Sequence, residues 1–101
     1  MQKKPHTIAE MQRLIQPIAI QYGVERVYLF GSYARGEVTA NSDIDIRIDC
    51  GAICDLFELS GFHQELERIL SDSVDLLTTG SLEDEFLSHI ANDEVIIYER
   101  S

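Results

Sequence analysis

The sequence predicts an α/β domain, or α+β by some schemes, with a small mixed sheet of about four strands flanked by helices. Three observations carry this expectation. Segments with apolar residues at helical spacing alternate along the chain with short β-branched runs. The segment "SDIDIRID" alternates strictly, with Ile44, Ile46 and Ile48 on one side and Asp43, Asp45, Arg47 and Asp49 on the other. A length of 101 residues suits one domain, read here as residues 1–101, and leaves roughly two-thirds of the unfolded surface to be buried.

The elements follow in order. Residues 7–22 read as a helix: Thr7 with Glu10 forms a capping-box pattern, and Ile8, Met11, Leu14, Ile15, Ile18 and Ala19 make one apolar face. Pro17 falls inside this pattern and predicts a kink or a restart, and Gly23 is the expected stop. "VERVYLF" (24–30) reads as a strand ending at Gly31, and "SYARGE" suits a helical turn after it. Residues 36–41 form a polar loop, and 42–49 are the alternating strand. Residues 53–70 are helical with a break near Gly61, their stripe made by Leu56, Leu59, Phe62, Leu66, Ile69 and Leu70. "VDLLT" (74–78) is a third strand. Ser81 is the expected cap of a helix running to Ala91, with Glu83, Asp84 and Glu85 in its first turn, and "EVIIYE" (94–99) is the last strand.

Composition narrows the function. Eight Lys and Arg face 18 Asp and Glu, for a net charge of −10, which disfavours direct binding to a nucleic-acid backbone. The same balance suits basic partners and bound metal cations. No apolar run approaches the ~20 residues of a membrane span, and the first 20 residues hold no signal-peptide core, so a cytoplasmic location is expected. Cys50 and Cys54 are expected as free thiols; His63 is their one nearby companion, too few ligands for a metal site.

The chemistry concentrates in "LFGSYARGEVTANSDIDI". On a strand, residues i and i+2 share a face, about 6.6 Å apart at ~3.3 Å per residue. The carboxylates of Asp43 and Asp45 can therefore converge on a pair of divalent ions of the kind that clamp both oxygens in phosphoryl transfer. Mg²⁺ suits a few carboxylates completed by phosphate and water. Asp75, set among apolar residues in "VDLLT", can join them if its strand lies beside 42–49, and can take the proton of an incoming hydroxyl. Gly31 allows the backbone to approach a ligand closely, Ser32 offers a hydroxyl and an amide to nucleotide phosphates, and Arg35, one turn on, can add charge.

Each residue also has a plain structural reading. Gly31 can simply end a strand, Asp43 can begin one on a solvated edge, Asp75 can pair with Arg26 or Arg47, and Arg35 can be a surface charge. Their joint occurrence at this spacing is what favours a reaction centre.

Gly-Ser, a ten-residue spacer (33–42) and Asp-x-Asp resemble the signature of the polymerase-β-type nucleotidyltransferase superfamily, and most closely its minimal nucleotidyltransferase group. The resemblance spans nearly the whole chain, from "YGVERVYLFGS" to the acidic residue of "VDLLT". It implies the nucleotidyltransferase fold, Mg²⁺ (two ions) with ATP as donor, and transfer of a nucleoside monophosphate, usually AMP, to a hydroxyl. Carried over, Gly31 and Ser32 contact the triphosphate, Asp43 and Asp45 hold the metals, Asp75 is the third carboxylate, and Arg35 is an additional phosphate contact. It also implies an antitoxin role: such proteins are encoded beside a HEPN-domain toxin, typically a ribonuclease, and some silence it by AMPylating a tyrosine.

The sequence departs from the family pattern at Arg47, where many members carry an apolar residue. Arg47 is left with Asp49, Asp75, the nucleotide or the partner as candidate contacts, and competition with metal for the carboxylates would weaken catalysis. Two other functions stay open at this point. One is an antitoxin that neutralises by binding alone; the other is a small-molecule transferase of the aminoglycoside-modifying kind, which needs a further wall for its acceptor.

Overall fold

In the computed structural model, residues 6–38, 42–53 and 55–100 are described. The elements run α1 (Ile8–Tyr22), β1 (Arg26–Phe30), α2 (Gly31–Arg35), β2 (Ile44–Asp49), α3 (Leu56–Leu70), β3 (Val74–Thr78), a 3-10 turn (Thr79–Ser81), α4 (Asp84–Ala91) and β4 (Val95–Glu99). This is the order read from the sequence. The expected loop at 36–41 is described only to Val38, and Cys54 also lies outside the described residues.

The strands form one mixed sheet in the order β3-β2-β1-β4. β1 runs antiparallel to both β2 and β4, while β2 and β3 are parallel, with α3 as their crossover. Ile44, Ile46 and Ile48 are fully buried, so the alternation of β2 fixes which face meets the helices. They pack in one core with Met11, Ile15, Ile18 and Ala19 of α1, Phe62, Leu66 and Leu70 of α3, and Val27, Leu29 and Ile97 of the neighbouring strands. The opposite face carries Asp45, Arg47 and Asp49.

Local chemistry sets most of the helix ends. The Thr7 hydroxyl accepts from the Glu10 amide at 3.0 Å, while the Glu10 carboxylate is taken by His6, so only half of the expected capping box forms. Pro17 sits inside an unbroken α1 on its exposed side. The donor it lacks faces the Arg13 carbonyl, which water can satisfy there.

The sequence reading needs further corrections. α3 begins at Leu56 rather than residue 53, capped by Asp55 accepting from the Glu58 amide at 2.8 Å, and Leu56 is 80% exposed rather than in the core stripe. It also continues through Gly61, where a Cβ would lie 3.0 Å from the Tyr22 hydroxyl, so the glycine serves close packing rather than a break. Ser81 caps no helix, since its hydroxyl donates to the Thr78 carbonyl at 2.9 Å within the 3-10 turn, and α4 starts at Asp84 behind Glu83.

Candidate active site

The sheet register brings the predicted residues together. β1 ends at Phe30, opposite Asp45 of β2, and the parallel pairing of β2 with β3 sets Asp45 beside Asp75. Asp43 lies just ahead of β2 and is exposed, as is Asp75. Asp45 is half-buried between them.

Gly31 follows Phe30 directly and turns the chain at φ +73° into α2. A Cβ on it would lie 2.1 Å from Asp45 Oδ2. Only glycine gives both that backbone conformation and that proximity, so backbone and carboxylate share a space no side chain can enter. α2 is short but anchored, since Tyr33 is 6% exposed and belongs to the core. Ser32 follows Gly31 in the first turn of α2.

The electrostatics match this crowding. The Asp45 carboxyl is pushed up to about 6, first by burial, then by the charge of Asp75 and a hydrogen bond with it, and by Asp43; Arg35 pulls the other way. Arg35 therefore senses the site, though its own contacts are Glu37 at 3.2 Å and Asp93 at 4.0 Å. Among the described residues, no three carboxylate, imidazole or thiol groups converge into a ready-made metal cage. Asp43, Asp45 and Asp75 nonetheless share one end of the sheet, and a divalent cation there would offset the part of the Asp45 shift that Asp75 and Asp43 add to burial. The donor set is all oxygen and reachable from solvent, which suits Mg²⁺ completed by phosphate and water.

Arg47 is 8% exposed and takes none of these carboxylates. Its Nε and Nη2 donate to the two Glu94 oxygens at 2.7 and 2.8 Å, and its Nη1 donates to Thr79 Oγ1 at 2.7 Å. The guanidinium lies 3.9 Å from the centre of the Tyr28 ring. Of the two carboxylates read from the sequence as candidate contacts, Asp49 is near, at 3.8 Å, and is chiefly held by Thr79 and Arg26. Burial pushes the Asp49 carboxyl up, but those hydrogen bonds bring it net below its ordinary value. Asp75 pairs with neither Arg26 nor Arg47, as its place beside Asp45 requires.

Sequence reasoning missed Glu94, Thr79 and Phe86. Phe86 of α4 stands edge-on to Phe30, with ring centres 6.5 Å apart, and so borders the site. Phe86 also lines an open cavity of about 580 Å³ together with Glu83, Glu85, Ser88, His89 and Asn92. His63, the companion considered for the cysteines, donates instead to the Val74 carbonyl at 2.6 Å.

The family model described as "Polymerase beta, Nucleotidyltransferase" matches residues 13–101, and the chain belongs to that family. MJ0435 of Methanocaldococcus jannaschii, provisionally named a protein adenylyltransferase, is 41% identical over 88 residues, covering 87% of this chain and 95% of its own. Two solved structures share the fold. One, a toxin–antitoxin with AMP-PNP, has a TM-score of 0.75 and 24% identity, covering 89% of this chain and 74% of that one. The other, a tri-AMPylated Shewanella oneidensis HEPN toxin in complex with MNT antitoxin, has a TM-score of 0.70 and 20% identity, covering 93% of this chain and 74% of the matched one. Among the described residues, no helix is long and apolar enough to cross a membrane.

Proposed function

We infer that this nucleotidyltransferase moves AMP from ATP to a hydroxyl, preferably a tyrosine hydroxyl, of a HEPN-type toxin and thereby acts as its antitoxin. The observation that carries this reading is the Gly31 backbone pressed against Asp45, with Asp75 on the adjoining strand. Support comes from the provisional adenylyltransferase name of the 41%-identical relative and from the AMPylated toxin found with a structural neighbour.

In this reading Ser32 and the Gly31 turn hold the β- and γ-phosphates, and Arg35 leaves Glu37 and Asp93 to join them. Asp43 and Asp45, with Asp75 completing the set, would hold two Mg²⁺ ions. Bound there, Mg²⁺ would neutralise triphosphate charge and make the α-phosphorus more electrophilic. Asp75 takes the acceptor proton as the hydroxyl oxygen bonds to the α-phosphorus. The bond from that phosphorus to the bridging oxygen breaks, and pyrophosphate leaves. The protein acts in the cytoplasm beside a partner encoded next to it, and residues 1–101 work as one unit. A protein acceptor supplies the second wall that the described residues lack, which a small-molecule acceptor does not.

The test is incubation of the purified chain with Mg²⁺, α-labelled ATP and the adjacent-gene product. Label on the partner with one pyrophosphate released per AMP is expected. Asp43→Ala should remove the label, and Asp75→Asn should lower transfer by about 100-fold. An unlabelled partner that the chain still neutralises would overturn the enzymatic reading in favour of binding alone.

A further inference from the structure

The connection from β3 to β4 joins the two opposite edges of the sheet, so it must cross β2 and β1. It crosses on the face that bears Asp45. Its first residue, Thr79, bonds to Arg47 and to the Ile48 carbonyl, and its helix α4 rests Phe86 on Phe30. The helix itself is weakly held. Ile90 is its one buried residue, while Phe86 is 40% exposed. A segment with so little buried apolar surface has low local stability unless its ends are fixed.

Both ends are fixed by the same side chain. Thr79 is the first residue after β3, and Glu94 is the last before β4. Arg47 donates to Thr79 from Nη1 and to both Glu94 oxygens from Nε and Nη2. Side-chain exposure is 10% for Arg47 and for Glu94, so the pair is shielded from water and from salt. A planar guanidinium can serve both feet at once, whereas an ammonium lacks the rigid fork. The residue just before Glu94 is Asp93, which reaches Arg35 on α2, so the second foot also abuts the phosphate side of the site.

We propose that Arg47 is a positioning residue that clamps both feet of the α4 crossover and so sets the Phe86 wall beside the catalytic aspartates, where the protein acceptor seats. It acts through α4 and touches neither nucleotide nor acceptor. The kinetic consequence rests on the transferase reading above; the structural one does not.

The test uses Arg47→Lys on the full chain, with hydrogen exchange and transfer kinetics measured together. Amides of α4 should exchange about 10-fold faster while those of β1 and β2 keep their protection. The KM for the protein acceptor should rise about 10-fold with kcat little changed, because α4 no longer presents a fixed wall. A merely structural role predicts the opposite split: uniformly faster exchange and a lower kcat at constant KM through loss of active protein. That result, or no change in either readout, overturns the proposal. If Arg47→Lys does not fold, Thr79→Val and Glu94→Gln each release one foot and are judged by the same two readouts. If the wild-type chain transfers nothing, the transferase reading fails by itself. The clamp is then decided by exchange alone, confined to α4 or spread over the sheet.

Discussion

Asp45→Asn is expected to abolish AMP transfer, by about 10³-fold or more, and yet to make the metal-free protein more stable at neutral pH. The first effect follows from removing a carboxylate at the centre of the site, where several kcal/mol of charge stabilisation is at stake. The second follows from the sign of its shift. Burial and the neighbouring Asp75 and Asp43 raise the folded-state value from 3.8 to about 6. Below about pH 4 the carboxyl is protonated in both folded and unfolded chains and contributes no difference. Between pH 4 and 6 the unfolded chain loses its proton first, so stability falls as pH rises, and above 6 the full cost is present. Allowing for solvent screening at a half-buried group, that cost is about 1–2 kcal/mol. Urea denaturation in EDTA should show Asp45→Asn more stable than wild type at pH 7.5, with the gain fading toward pH 4. Equal stability at both pH values would show that the carboxylates are not crowded.

Gly31→Ala should have the second largest effect. At φ +73° an alanine costs about 1–2 kcal/mol in backbone strain, and its Cβ meets Asp45 Oδ2 at 2.1 Å. Either the carboxylate swings away or the turn into α2 opens, and both outcomes separate Ser32 from the aspartates. Nucleotide affinity and transfer should both fall, the latter by about 100-fold, because a displacement of about 1 Å is enough for that loss. Titration with a fluorescent ATP analogue and the labelling reaction measure the two effects. Gly36 has a similar φ and nothing within 4 Å of its notional Cβ, so Gly36→Ala provides the control for strain without the clash.

The parts of the fold that were legible in the sequence depend on local pattern. The period-2 alternation of residues 42–49 and the helical stripes of α1 and α3 reflect burial on one side, which sequence spacing records directly. Asp43, Asp45, Gly31 and Ser32 were legible as candidates because one short stretch contains them. Asp75 required a guess about strand neighbours, and the parallel pairing of β2 with β3 supplies that neighbourhood. Ser81 looked like a cap because a serine before acidic residues usually is one, but its hydroxyl was already committed to Thr78. Arg47 could be read only as an anomaly. Its partner Glu94 is 47 residues away and lies across an intervening strand, and no local rule links two such positions.

β3 lies at the edge of the sheet, with β2 as its one neighbouring strand. The Asp75 half of the central carboxylate pair therefore rests on an edge strand, which is expected to loosen before the two central strands. As temperature or denaturant rises, activity will disappear ahead of the bulk spectroscopic transition. A nucleotidyltransferase built this way would lose its grip on chemistry while still looking folded, and a protease that catches the loosened edge would meet an already silent enzyme.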